Sequence, residues 1–127
     1  GTATTFTVLD ENGALVASAI TAGVELSLEA LRTQTAQLPT VALTRGAKYD
    51  VMARNTADAM RIGAVLGAAA MVDGLVGRYA ACLGSTPQVW LTGDCAPLIA
   101  PHLSIDWDRT DDLIFEGLRL VWSRNRG

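Results

Sequence analysis

Residues 55 to about 83 run without a proline and carry apolar side chains at helical spacing, so any fold of this chain must house one long helix. Asn55 or Thr56 supplies its N-cap, and Asp58 lies in the first turn, where a carboxylate complements the helix dipole. Over residues 62–72 the apolar side chains go most of the way round, which predicts a helix buried on more than one side. Gly63 and Gly67 permit close approach of a neighbouring helix. Arg61 and Asp73 bracket the apolar run, which is expected to fall well short of the roughly 20 residues that a bilayer span needs.

The other elements fall on either side of this helix. Residues 2–10 read as a strand, Glu11-Asn12-Gly13 as a turn and residues 14–20 as the returning strand, since Asn-Gly accepts the positive φ of a two-residue hairpin. Gly23 breaks the run. Leu26, Ala30, Leu31 and Leu38 then recur at helical spacing and predict an amphipathic helix over 27–37, ended by Pro39. An irregular connection over 44–52 has room for a short strand. After the Gly84-Ser85-Thr86-Pro87 turn, 88–92 read as a short buried strand ending at Gly93, and 94–100 as a short helix beyond it. Residues 105–107 suit a last strand, and Leu113, Leu118, Val121 and Trp122 mark a closing helix. The order predicts an α/β domain, a mixed sheet flanked by helices.

A chain of 127 residues, half of them apolar and 18% charged, is long enough for one domain with a real core, and its apolar content hints at a covered face. A net charge of −3 offers no electrostatic case for nucleic acid or an acidic membrane as partner. Cys82 and Cys95 lack metal-ligand spacing and are expected to be reduced thiols of a reducing cytosol. The single His102, in a loop, reads as solvated or hydrogen-bonded. Asp50, Asp58, Asp73, Asp106, Asp108, Asp111 and Asp112 read as caps, turn residues or surface charges. No basic and apolar leader precedes the first strand and no methionine opens the chain, so it is expected to be a fragment, a processed product or one piece of a divided protein.

The opening Gly1-Thr2-Ala3-Thr4-Thr5-Phe6 joins a glycine, which lets a backbone approach a ligand closely, to hydroxyl side chains at the mouth of a strand. Backbone N–H groups at such a bend form a concavity that suits phosphate oxygens. With Thr35-Ala36-Gln37-Leu38-Pro39, Asn55-Thr56-Ala57-Asp58-Ala59-Met60-Arg61-Ile62-Gly63 and Leu91-Thr92-Gly93, this stretch closely resembles the C-terminal half of the type III pantothenate kinases, a family that includes Bvg accessory factors. The resemblance runs along essentially the whole chain.

That resemblance implies one half of an actin-like ATPase fold (the acetate/sugar kinase–chaperone–actin group), in which two similar domains hold nucleotide between them. It implies ATP-dependent phosphorylation of pantothenate to 4'-phosphopantothenate, the first step of coenzyme A synthesis, with Mg2+ and a monovalent cation, K+ or NH4+. Thr2 is the implied ATP contact, with Gly1 and Gly93 as close backbone, and Thr56 is the implied pantothenate contact, although as a residue it reads simply as a helix cap. The chain departs from the family pattern at Asp94, where a second glycine is usual, at Thr7, often aspartate, and at Ala22, usually proline. The family's first phosphate loop, its proposed catalytic aspartate and its cation-binding aspartate all belong before Gly1. No catalytic residue and no metal ligand is therefore assigned here, and the N-terminal half of the same kinase is an implied partner. A cytoplasmic homodimer is also implied. The other readings are a non-catalytic binding or regulatory module of the accessory-factor kind, and a dimerisation unit using the long helix and Trp122.

Overall fold

The structure is a computed structural model that describes residues 2–126. β1 (Ala3–Leu9) and β2 (Leu15–Ala22) form an antiparallel hairpin in which Ala3 faces Ala22 and Phe6 faces Ala19, with a bulge between Val8 and Leu9. The turn is not the two-residue kind. Asp10 and Ala14 close a loop of Glu11, Asn12 and Gly13, of which Gly13 alone takes positive φ, at 78°. The Asp10 carboxylate sets this geometry by accepting from the Asn12 and Ala14 N–H groups at 2.9 and 2.8 Å.

α1 (Val24–Gln34) follows directly, three residues earlier than its apolar spacing suggests. Gly23 stands at its N-cap with no side chain to contribute, and its N–H donates to the Thr2 carbonyl at 2.9 Å, tying the helix entry to the mouth of β1. Thr35 turns extended and ends the helix before Pro39 is reached. Its buried face is Val24 and Leu28, whereas Leu26 and Leu31 are exposed. The connection to the next helix contains no strand. It is held instead by single bonds: Gly46 N–H to the Pro97 carbonyl, Thr44 N–H to the Tyr49 hydroxyl, and His102 Nε2 against the Ala47 carbonyl at 3.1 Å.

α2 (Thr56–Leu83) is the long helix, ended by Gly84 in the left-handed region. Asn55 is its N-cap. Its Oδ1 accepts the Asp58 N–H at 2.9 Å and its Nδ2 donates to the Asp58 carboxylate at 2.7 Å. Arg61 then pairs with Asp58 and donates through Nε to the Ala42 carbonyl at 3.0 Å, fastening the preceding connection to the first turn.

The core is a seam rather than a shell. Val65, Ala69 and Val72 of α2 pack with Val24 of α1 and with Leu98 and Ile99 of α3 (Ala96–Ile99). Phe6 of the hairpin and Leu43 and Tyr49 of the connection lie against this cluster. α2 is thus buried along one stripe and not on several sides. Gly63, Gly67 and Gly74 face open space, with nothing beyond the helix's own nearby backbone within 4 Å of where a Cβ would stand, so no other described helix uses the close approach they allow. By length and composition α2 also does reach the measure for crossing a bilayer, with mean hydropathy 1.6 and 22% of that stretch buried. The apolar run does not stop at Asp73 but resumes at Leu75 and Val76. A core helix of a globular domain meets the same measure.

β3 (Trp90–Leu91) and β4 (Asp108–Arg109) pair in parallel, and α3 continues into a single 3-10 turn (Ala100–His102) between them. β3 is shorter than its sequence suggests and half open, with Trp90 53% exposed. β4 lies beyond the expected 105–107, because the N–H groups of Asp108 and Thr110 are the ones that reach the carbonyls of Val89 and Leu91. The expected single mixed sheet is therefore two separate two-stranded sheets. α4 (Leu113–Arg124) closes the chain with no buried residue.

Because Asn55 and not Thr56 closes the helix end, the two positions should separate in urea unfolding. Asn55→Ala should cost about 1 kcal/mol. Thr56→Ala should stay within about 0.5 kcal/mol of the parent protein.

Candidate functional site

Two grooves flank α1. One, of about 350 Å³, lies between α1 and the first two turns of α2 and is lined by Ser27, Leu31, Leu38, Thr56, Met60 and their small neighbours Ala59, Gly63 and Ala64. Its surface is largely apolar, with two hydroxyls. Ser27 already donates its proton to the Gly23 carbonyl at 3.0 Å. The Thr56 hydroxyl has no hydrogen-bond partner among the described residues, because Asn55 has taken over the cap. A free hydroxyl at the positive end of a 28-residue helix, beside an apolar wall, suits a small ligand with an anionic or polar head and an aliphatic body.

This groove joins two of the motif segments singled out by sequence. Leu38 comes from Thr35-Ala36-Gln37-Leu38-Pro39, and Thr56 and Met60 come from the start of α2. Periodicity alone did not find Leu38 here, since it reads as a residue of α1 and instead follows the helix end. The chain bends at Ala36 and Gln37, after the helix end, and Leu38 then lies beside α2.

Thr2 and Gly93 stand elsewhere. Thr2 is exposed at the mouth of β1 and does not line the groove, although its carbonyl holds Gly23, which in turn accepts from Ser27 in the groove wall. Gly93 lies just past β3 with φ at 97°, a conformation that costs glycine little, and its carbonyl accepts the Ala96 N–H at the start of α3. Asp94 beside it is exposed. Gly1, the other implied nucleotide contact, lies outside the described residues.

The second groove, of about 210 Å³, is walled by Glu25, Glu29 and Arg32 of α1 with Pro39, Val41 and Leu43 opposite. Arg32 donates through Nε to the Glu29 carboxylate at 2.8 Å, and this hydrogen bond, with the guanidinium charge behind it, holds the carboxyl below its ordinary range. The remaining acids mostly serve local structure. Asp73 accepts the Ser104 N–H at 3.0 Å, Asp50 accepts the Met52 N–H, Asp111 pairs with Arg109, and Asp108 accepts from Gln88. Neither Cys82 nor Cys95 is in a disulfide.

The family model of type III pantothenate kinases matches residues 1–78, from the first residue through most of α2. The type III pantothenate kinase of Rhodospirillum rubrum is 42% identical over 99% of this chain, and that of Rhodococcus opacus is also 42% identical over 99%. The enzyme of Koribacter versatilis is 37% identical over the same share. The chain spans about half the length of these curated relatives, 48%, 47% and 45% in turn, and corresponds to their C-terminal half. With the family model covering well over half its residues and the relatives nearly all of them, the chain belongs to the type III pantothenate kinase family.

Proposed function

We propose that this chain forms the substrate-facing half of an ATP-dependent kinase that phosphorylates pantothenate to 4'-phosphopantothenate, the first step of coenzyme A synthesis. The observation that carries this reading is the groove between α1 and α2, where two family motifs meet around the unengaged Thr56 hydroxyl. Pantothenate is small, with a carboxylate, several hydrogen-bonding groups and a branched aliphatic segment. In this reading Thr56 and the first turn of α2 hold its polar groups, while Leu31, Leu38 and Met60 take the aliphatic part.

ATP is assigned to the opening bend, with Thr2 as the phosphate contact and Gly1 and Gly93 as close backbone. The Gly93 φ supports that assignment, because it keeps the loop after β3 free of a Cβ. Asp94 next to it puts negative charge where an anionic ligand would approach, and opposes it. Phosphoryl transfer also needs metal charge and a base. Among the described residues no group of three His, Cys, Asp or Glu side chains is placed to hold a cation, and Mg2+ and the monovalent ion are assigned to the complete enzyme. The base is assigned to the N-terminal half of the kinase, and the working enzyme is taken to be a cytoplasmic homodimer of complete subunits.

The test uses a complete kinase in which this chain replaces the C-terminal half of the Rhodospirillum rubrum relative. Thr56→Val removes the hydroxyl and keeps the shape. Loss of a hydrogen bond to a charged or polar ligand is worth about 1.5 kcal/mol or more, so the KM for pantothenate should rise at least about tenfold while that for ATP stays put. Unchanged pantothenate KM in the Val variant would move the substrate away from this groove.

A further inference from the structure

Gly63 lies in the interior of α2, seven residues beyond Thr56. Glycine is disfavoured there, since only proline holds a helix less well. Three demands of a fold commonly keep a glycine in such a place, and none applies to this one. Its φ is not among the positive ones, which belong to Gly13, Gly46, Gly84 and Gly93. No other described element needs the room, because nothing beyond the helix's own nearby backbone lies within 4 Å of where a Cβ would stand. The helix runs unbroken from Thr56 to Leu83, so the glycine ends nothing. Gly67, Gly74 and Gly77 share this freedom. Gly63 differs from them in lining the larger groove, together with Thr56.

The spacing gives that groove a length. Seven residues make close to two turns, so Thr56 and Gly63 lie on one face of the helix, about 10 Å apart along its axis. Between them Ala59 offers only a methyl, and Met60 is 6% exposed, which makes it a floor and not a partition. Leu31 and Leu38 form the wall opposite. A recess with a hydroxyl at one end and bare backbone at the other takes an elongated molecule laid along the helix. Extended pantothenate is about as long as three residues of strand, again about 10 Å.

We infer that Gly63 is a specificity-determining residue of the pantothenate site, whose bare backbone receives the end of the substrate farthest from Thr56. This rests on the assignment of pantothenate to the groove, and adds the direction in which the molecule lies and the residue that limits its length. An alanine methyl at this position projects into space that the fold leaves open and the substrate fills. The one substitution therefore strengthens folding and weakens binding, a pairing that a merely structural glycine does not produce.

The experiment compares Gly63→Ala, Gly67→Ala and Thr56→Val. In urea unfolding of the chain, both alanine variants should raise the folding equilibrium constant about fourfold, the ordinary gain of alanine over glycine inside a helix. Kinetics are read in the complete kinase carrying this chain behind the Rhodospirillum rubrum N-terminal half. There Gly63→Ala should raise the KM for pantothenate at least about tenfold, the usual effect of one methyl too many in a fitted pocket, and leave that for ATP unchanged. Gly67→Ala should leave both where they are. A pantothenate KM that stays put in Gly63→Ala overturns the inference. If Thr56→Val raises it in the same assay, the groove keeps the substrate and only this end of it is lost; if neither variant moves it, the groove itself is the wrong place. An equal rise in Gly67→Ala also overturns the inference, since that residue lines no part of the groove. So does a loss of stability in Gly63→Ala, which would make the glycine a requirement of the fold.

Discussion

Everything in this fold hangs from the contact of Val65, Ala69 and Val72 with Val24, Leu98 and Ile99. Val65 is the one large side chain to lose all contact with solvent, and no polar or charged residue is buried anywhere among the described residues. The seam therefore has no buried hydrogen-bond network to specify it and depends on shape and apolar area alone. α1 and α3 both meet α2 at this seam. The hairpin reaches the seam only through its inner face, where Phe6 is the anchor, and the connection before α2 reaches it through Leu43 and Tyr49.

How much of this was legible beforehand depends on whether the determinant was local. α2 was, because Asn55, Asp58 and Gly84 are stop and start signals acting within one turn, and they agree with the propensity of the residues between them. The hairpin was legible for the same reason, although the Asp10 carboxylate chose a longer loop than Asn12-Gly13 alone suggests. The start of α1 was not, since Gly23 offers no capping side chain and is placed by a backbone bond to Thr2. β3 and β4 depend on each other across α3, so the register of one cannot be read without the other. Periodicity also counts apolar residues without knowing what covers them. It describes α2 as apolar nearly all round, and the fold covers one stripe.

The candidate site divides along the same line. Thr56 as a ligand-facing hydroxyl and Thr56 as a cap look identical in sequence, and the difference is made by the side chain before it. Once Asn55 accepts the Asp58 N–H, the threonine is left over, and a hydroxyl left over beside an apolar groove is a different object from one that ends a helix. The wall opposite, at Leu38, follows the bend at Ala36 and Gln37 beyond the end of α1. The exposed β3–β4 ladder is the reverse case: parallel pairs are usually covered on both faces, and this one stands in the open beside Trp90.

The bond from Arg61 to the Ala42 carbonyl bears on more than the helix end. Arg61 grips the strand of chain that carries Leu38 to α2, and grips Asp58 with the same guanidinium. The connection after Leu38 is thus tied to the first turn of α2 through a single planar cation. A lysine there would keep the charge and lose the fork. The connection would then hold the helix start by a weaker grip, although Arg61 itself lines no part of the groove.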